Sequence, residues 1–202
     1  RELVVLEIGT GTWCPYCLAA AMGADELVEN GYDVAVIEYH SGDDYQISQG
    51  VQRLQYYQIS NFPTAVFDGV LSYVGGSSSG SLFSTYLTRY NQRKNIPSSF
   101  TISASGSNQG LLDFNISVDI LKVASADTSN LSLIAVVTES HIDDPWGGLP
   151  GVNFVARKVV TGHPGTSLDF TTSNTEQIDL AFSLDPEWSY INCELVLLIQ
   201  NI

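Results

Sequence analysis

Two cysteines separated by two residues carry the clearest chemical signal in this sequence. Cys14 and Cys17 belong to the segment 13–17, which reads WCPYC. Cysteines at positions i and i+3 of a first helical turn lie close enough to form an exposed disulfide. A helix N-terminus stabilises a thiolate through its unpaired N–H groups and its dipole, and Pro15 suits a first turn because it needs no N–H partner. We therefore expect Cys14 to be the nucleophile and Cys17 the more buried, resolving thiol in disulfide exchange.

A proline at the start of a predicted strand is the second chemical signal. Pro63 precedes the apolar segment 65–67, and proline is poorly tolerated at the start of a central strand unless an unusual bond is intended. This pattern resembles the cis-proline loop of the thioredoxin superfamily, which faces the two cysteines. There the residue before the proline, here Phe62, offers its backbone to an incoming peptide. Together with the strand–CxxC–helix order, it predicts a thioredoxin-like fold.

The elements around these motifs alternate between strands and helices. Asn30-Gly31 is a good helix stop, Asp68-Gly69 predicts a tight hairpin turn, and Asp43-Asp44 offers an N-cap for the second helix. Hydrophobic periodicity predicts strands over 3–8, 33–39, 64–67 and 71–74, and helices over 15–29, 46–57 and 82–94. This order is that of an α/β layer fold with helices on both faces of a small sheet.

After residue 95 the sequence pattern changes to strict alternation. Apolar and polar residues alternate over 114–120 and again over 178–184, and no helical period follows. Further strands are predicted over 99–105, 131–139, 154–161 and 193–200. Such short strands predict an antiparallel β-sandwich of immunoglobulin-like size. We therefore predict two domains, a thioredoxin-like domain over 1–95 and a β-sandwich over 96–202.

Composition excludes several classes of function. The 202 residues include 22 acidic and 8 basic ones, for a net charge of −14, which argues against nucleic-acid binding and against docking on an anionic membrane. With 44% hydrophobic and 15% charged residues the chain is globular rather than disordered. No apolar run approaches the length of a transmembrane helix. No signal peptide is recognisable, and we expect the sequence to be a processed or trimmed piece that has lost any export signal or anchor.

Longer segments resemble one bacterial family over nearly the whole chain. The similar segments are 7–17 (EIGTGTWCPYC), 39–43 (YHSGD), 62–69 (FPTAVFDG), 137–141 (VTESH), 146–149 (WGGL) and 192–196 (NCELV). They resemble the 28-kDa outer-membrane-protein-related family of Bacteroidota-type bacteria. The resemblance implies an exported protein that is envelope-associated or secreted, with a thioredoxin-like domain and a β-sandwich. In that family an acidic pair often ends the first strand. Here the second position is Ile8, so a proton-relay carboxylate must be Glu7 or absent, and Glu7 could equally lie on the surface.

Two functions remain open for the cysteine pair. The first is a thiol–disulfide oxidoreductase without cofactor or metal, acting on protein or peptide thiols and disulfides. Its substrate-binding residues would be Trp13, Pro15, Tyr16, Phe62 and Pro63, although Trp13 could serve packing alone. The β-sandwich would be a spacer, a partner-binding surface or a homodimer interface. The second is a cell-surface or outer-membrane-associated binding or structural module whose disulfide is inert.

Other potentially reactive residues receive structural interpretations. A zinc site lacks a second pair of ligands, and helix capping or loop structure is favoured for the acidic and histidine clusters at 40–44 and 139–144. No metal is therefore predicted. Cys193 shares a strand face with apolar residues, which predicts a buried thiol.

Overall fold

A strand near the start of the chain, β1 (Val4–Thr10), lies inside the larger of two sheets in this computed structural model, which describes residues 3–202. Arg1 and Glu2, predicted to begin the first domain, lie outside the described residues. The neighbours of β1 are β2 (Val34–His40), which is parallel, and β3 (Thr64–Phe67), which is antiparallel.

The hairpin predicted at Asp68-Gly69 is confirmed. It joins β3 to β4 (Leu71–Val74). Both turn residues have positive φ, 50° at Asp68 and 68° at Gly69. Two consecutive positive φ angles match the twist of a two-residue hairpin, which explains why this dipeptide predicts the turn.

Three helices cover the two faces of this part of the sheet. Helices α1 (Leu18–Glu29) and α3 (Phe83–Lys94) pack on the face that carries Leu6 and Ile8. Helix α2 (Ser48–Tyr56) contributes Leu54 to the opposite face. Because side chains alternate along a strand, neighbouring residues of β1 belong to different layers. The mixed α/β character predicted from the sequence is confirmed.

The start of α2 differs from the prediction. The helix begins at Ser48 with Ile47 at its N-cap, and no side chain caps it. The Asp43 carboxylate accepts hydrogen bonds from the N–H groups of Thr12 (2.7 Å) and Tyr45 (3.1 Å). Asp43 therefore joins the loop to the end of β1, and the predicted cap is not formed.

Strands of the second half extend the larger sheet. Its order is β11-β7-β8-β2-β1-β3-β4, with β9 paired to β7. The bounds are β7 (Leu131–Glu139), β8 (Val155–Val159), β9 (Thr166–Ser167) and β11 (Cys193–Asn201), with a short 3-10 helix at Tyr190–Asn192 before β11. The junction between the halves is the parallel pairing of β8 with β2, where Val155 lies opposite Glu38. The sheet therefore continues across residue 95.

A second, antiparallel sheet packs on this extension. It has the order β10-β6-β5, with β5 (Phe100–Asn108), β6 (Asp113–Lys122) and β10 (Thr175–Ser183). Leu133 and Ala135 of β7 pack against this sheet, whereas Ile134 and Val136 pack on the α2 side. Every residue of β7 is buried because both of its faces are covered. Among residues 3–202, no helix is long and apolar enough to span a membrane.

Candidate functional site

Cys14 and Cys17 form a disulfide where β1 leads into α1. Their Cα atoms are 5.4 Å apart. The Cys14 N–H donates to the Gly11 carbonyl (3.0 Å), and the Cys17 N–H donates to the Cys14 carbonyl (3.1 Å). Cys17, in helical conformation, is the N-cap of α1, and its carbonyl accepts from Ala20 and Ala21. The sequence prediction that the helix begins at Pro15 is therefore wrong by three residues. A turn with i→i+3 hydrogen bonds precedes the helix, so Cys17 rather than Cys14 lies at its N-terminus.

Both sulfur-bearing residues are buried. Cys14 is 3% exposed and Cys17 is fully buried. Cys14 is thus the more accessible of the two, but the disulfide is less exposed than the sequence suggested. A reagent reaching it must approach from the Cys14 side.

The proline loop lies directly beside Cys14. The Phe62–Pro63 peptide bond is cis, and the Phe62 carbonyl oxygen is 3.8 Å from the Cys14 sulfur. The Thr64 hydroxyl donates to the Asn61 carbonyl (2.7 Å) and closes the loop. The structure therefore brings together the two segments that the sequence singled out.

Exposed aromatic side chains flank the disulfide. Trp13 is 57% exposed and Tyr16 is 55% exposed. Trp13 is held in place because its indole N–H donates to the Ser41 carbonyl (2.7 Å) and its ring packs edge-on against Phe62, with 5.9 Å between centroids. Pro15 is also exposed. Trp13, Pro15 and Tyr16 together form an exposed, largely apolar rim that can contact an extended peptide.

Glu7 is buried on the opposite face of the sheet. Its carboxylate is 2% exposed and accepts two hydrogen bonds from Arg53, at 2.8 and 3.0 Å. The hydroxyls of Tyr39 (3.1 Å) and Tyr57 (2.5 Å) also donate to it. Burial and the Glu7 carboxylate together raise the pKa of Tyr57. Because α1 and Cys17 cover the other face, the geometry does not bring the predicted proton-relay residue together with the cysteines.

A different set of ionisable residues lies on the disulfide side of the sheet. His40 Nδ1 is 2.7 Å from the Asp43 carboxylate, and His40 Nε2 is 3.7 Å from that of Glu38. Burial alone would lower the pKa of His40, but the two carboxylates outweigh it and raise the pKa to about 9. The imidazole is therefore held as a cation between two acids. The sequence analysis missed Glu38, for which the signal was a lone acid among the apolar residues of a predicted strand.

A loop from the second half covers the other side of the disulfide. Trp146, Val152 and Val155 pack in one cluster with Cys14 and Cys17. Two polar contacts fix this loop to the first half. The Tyr45 hydroxyl donates to Asp144 (2.7 Å), and the Asn153 amide donates to Asp25 (2.8 Å). The segment 141–155 therefore forms one wall of the site.

The acidic cluster predicted near this loop does not converge on one point. Glu139 is buried, pairs with Arg157 (3.2 Å) and accepts from the Ser189 N–H (2.7 Å), whereas Asp144 binds Tyr45. Within the described residues, no group of three or more His, Cys, Asp or Glu side chains could hold a metal ion.

Cys193, predicted to be buried, is only half-buried. Its thiol donates to the Ser189 carbonyl at 3.5 Å. Burial raises the pKa of Cys193 to about 11, so the thiol is protonated and weakly nucleophilic at neutral pH. It lies at the start of β11, opposite Glu139 of β7.

Fold and site define this chain as a mixed α/β protein with a Cys-x-x-Cys disulfide facing a cis-proline loop. Among solved structures, HBP35 of Porphyromonas gingivalis, a Bacteroidota species, is similar with a TM-score of 0.75 and 17% sequence identity. The match covers 98% of this chain and 69% of that one, and at this identity it shows a shared fold. No protein-family model and no curated protein matches the sequence.

Proposed function

We propose that the protein is an extracytoplasmic thiol–disulfide oxidoreductase that acts on protein or peptide disulfides. The observation that carries this proposal is the Cys14–Cys17 disulfide between β1 and α1, with the Phe62 carbonyl 3.8 Å from the Cys14 sulfur. Residues 1–95 would form a thioredoxin-like domain and residues 96–202 an immunoglobulin-like β-sandwich. The second sheet, built entirely from residues after 95, and the fold shared with HBP35 support this division, and the pairing of β2 with β8 joins the two units.

The asymmetry of the two cysteines supports a different role for each. Cys14, the more accessible, attacks a substrate disulfide and forms a mixed disulfide, and the fully buried Cys17 then displaces the substrate. The position of Cys17 at the N-terminus of α1 favours its thiolate when it attacks. The pair ends as a disulfide and the substrate as two thiols.

The substrate would lie across the rim formed by Trp13, Pro15 and Tyr16 and against the loop at Phe62 and Pro63. The Phe62 carbonyl can accept a hydrogen bond from the backbone of an extended peptide. The aromatic side chains supply apolar contact without selecting one sequence. This arrangement favours a protein or peptide substrate over glutathione. With 8 basic residues in the whole chain, few positive charges are available to bind the carboxylates of glutathione.

An extracytoplasmic location is supported by the disulfide itself. Disulfides persist in oxidising compartments and are rare where cellular thiol systems keep cysteines reduced. The sequence resemblance to an exported bacterial family and the Bacteroidota origin of HBP35 agree with this location.

The burial of the disulfide favours a second candidate, a binding or structural module. With Cys14 only 3% exposed and the loop at Trp146 packed against it, the bond could be a closed structural link. In that case the aromatic rim would bind a partner protein without disulfide exchange.

Redox equilibration separates the two candidates. The protein is equilibrated in graded glutathione buffers, free thiols are alkylated, and the products are weighed by mass spectrometry. An oxidoreductase disulfide is expected to reduce at a potential above about −300 mV, whereas resistance well below that value would refute the proposal. Turnover of a peptide disulfide should be lost in Cys14→Ser and retained in the matched control Cys193→Ser.

A further inference from the structure

The second sheet ends in a strand that has one open edge. Within residues 3–202, β5 (Phe100–Asn108) pairs with β6 alone, in an unbroken register along all 9 of its residues. Residues 103 to 108 are all exposed, so no other segment of the described chain covers this part of the strand. An open edge of this length offers unpaired backbone groups to another strand.

Hydrogen bonds at the two ends of β5 show which of its backbone groups face outward. The Gln109 N–H donates to the Asp113 carbonyl, and the Val123 N–H donates to the Ser99 carbonyl, both at 2.8 Å. Because hydrogen-bonded pairs alternate along an antiparallel ladder, the odd-numbered residues of β5 bond to β6. The N–H and carbonyl groups of its even-numbered residues therefore point to the open edge.

The first of these outward residues is satisfied within the chain. The Phe100 N–H donates to the Ser98 hydroxyl (3.2 Å), and that hydroxyl donates to the Phe100 carbonyl (2.7 Å). The next four outward residues face no other strand of the described chain: Ile102, Ala104, Gly106 and Asn108. Their backbones form a row of donors and acceptors at the surface.

Strand β5 also lacks the features that keep other sheet edges unpaired. Proteins prevent pairing at an edge with charged side chains, proline, bulges or a short strand. Of the other strands that end the two sheets, β4 has 4 residues, β10 contains Glu176 and Asp179, and β11 contains Glu194. No charged residue occurs between Lys94 and Asp113, and β5 has neither a proline nor a bulge. This edge is therefore open to pairing.

The charge of the chain indicates what can pair with this edge. Two copies of a chain with a net charge of −14 repel each other over most of their surfaces. They can meet along an uncharged strand, and a strand that pairs antiparallel with its own copy forms a closed, two-fold contact. With the axis at Ser105, Ala104 lies opposite Gly106 of the second copy, and Ile102 lies opposite Asn108 of the second copy. All four outward residues are then paired.

Exposed apolar side chains lie at both ends of β5. Leu111 is in the turn that follows the strand, whereas Leu121 and Val123 lie beside its start. Antiparallel pairing brings the end of one β5 next to the start of the other. It therefore brings Leu111 of each copy close to the end that carries Leu121 and Val123 of the other copy, where burial of apolar surface stabilises the contact.

We propose that β5 pairs antiparallel with β5 of a second copy, about a two-fold axis at Ser105, and joins the two three-stranded sheets into one continuous sheet. The contact consists of the backbone hydrogen bonds from Ile102 to Asn108 and the apolar side chains at its two ends. Because the dimer uses only the β-rich half, this inference goes beyond the proposed function and does not depend on it.

Sedimentation of the 202-residue chain tests this pairing. At about 0.15 M salt, which screens the net charge, the wild type is expected to form dimers as its concentration rises. Ala104→Pro removes one outward N–H from each copy, and with them two hydrogen bonds of the dimer. The Kd of the dimer should therefore rise about 10- to 100-fold.

Ala181→Pro is the matched control on β10, at the other edge of the same sheet. The Lys122 N–H donates to the Asn174 carbonyl (2.8 Å), so the even-numbered residues of β10 bond to β6 and Ala181 faces outward. This variant also removes an outward N–H from an alanine of an edge strand. It should leave the Kd of the dimer unchanged.

Charges at the two-fold axis test the register. Ser105 would lie opposite Ser105 of the second copy in a non-hydrogen-bonded pair, in which the Cα atoms are about 4.5 Å apart. Ser105→Glu and Ser105→Lys each place like charges opposite one another and should raise the Kd about 3- to 10-fold. An equimolar mixture of the two variants should form mixed dimers more tightly than either variant alone. Ala181→Glu should have no effect.

Circular dichroism shows whether each variant folds, and if Ala104→Pro does not, the Ser105 variants and Ala181→Glu carry the test. A wild type that stays monomeric up to about 1 mM would refute the pairing of two copies, even if β5 bound an extended peptide of another protein. A dimer whose Kd changes in none of the β5 variants, or changes equally in the β10 controls, would also refute the proposal.

Discussion

Arg53 offers a stringent test of the buried network around Glu7. Its side chain is 2% exposed, makes a two-pronged contact with Glu7 and lies over the rings of Tyr56 (5.2 Å) and Tyr57 (4.8 Å). Arg53→Met removes one partner of a buried ion pair and leaves the Glu7 carboxylate without a counter-charge. We expect a loss of about 3–5 kcal/mol in the free energy of unfolding.

The double variant Glu7→Gln/Arg53→Met distinguishes loss of charge pairing from loss of packing. It restores neutrality and keeps one oxygen, which can accept from one of the two tyrosine hydroxyls that bind the separate oxygens of Glu7, Tyr39 or Tyr57. Its loss of stability should be smaller than the sum of the two single losses by about 1–3 kcal/mol. Urea unfolding of the oxidised protein at neutral pH measures all four forms. Two results would show that Glu7 and Arg53 are not coupled. One is a double variant whose loss of stability equals the sum of the two single losses. The other is a loss of stability for Arg53→Met no larger than that for Arg89→Met in α3.

Three further predictions follow from the walls of the site. Trp146→Ala should cost about 3–5 kcal/mol of stability and speed reduction of the disulfide by dithiothreitol, whereas Trp188→Ala should not change that rate. Gly76→Ala would place a Cβ in steric conflict with the Tyr16 carbonyl oxygen, so it should cost about 1–3 kcal/mol in urea unfolding, and Gly110→Ala should not. His40 has a folded pKa of about 9 against an ordinary 6.5, so its stabilisation is complete below pH 6.5 and lost as the pH rises through 9. Thermal unfolding across this range should show a loss on the order of 3 kcal/mol that His40→Gln lacks; an unchanged profile would exclude His40 as its source.

Local patterns were sufficient for most elements of the fold. Strand β7 and the hairpin at Asp68-Gly69 have the predicted bounds because alternation, continuous apolar runs and turn residues act over a few positions. Helix α1 is shorter at its start because the turns from Gly11 to Cys17 depend on hydrogen bonds that hydrophobic periodicity does not report. The cysteine pair and the proline loop could also be predicted from the sequence, since each motif is defined by neighbouring residues.

Contacts between segments that are distant in the sequence could not be predicted from local patterns. Periodicity identifies β2 and β8 as strands, but not that Val155 lies beside Glu38 and continues the sheet. The burial of Glu7 with Arg53 depends on where α2 packs, 46 residues later. For the same reason the sequence offered Glu7 as the only acid near the cysteines. The acid on the same side of the sheet as the cysteines is Glu38, which lies on the neighbouring strand β2.

The second half of the chain contributes one wall of the candidate site. The disulfide is slightly less buried on the Cys14 side, next to Trp13 and Tyr16, and is covered on the other side by the segment 141–155. Cys17 is fully buried on this side, and a low-dielectric interior strengthens the fields of nearby charges. The same segment also contacts Glu38, because the backbone N–H of Glu38 donates to the Phe154 carbonyl at 2.8 Å. The continuous sheet and the segment 141–155 therefore hold the β-rich half against the cysteine pair.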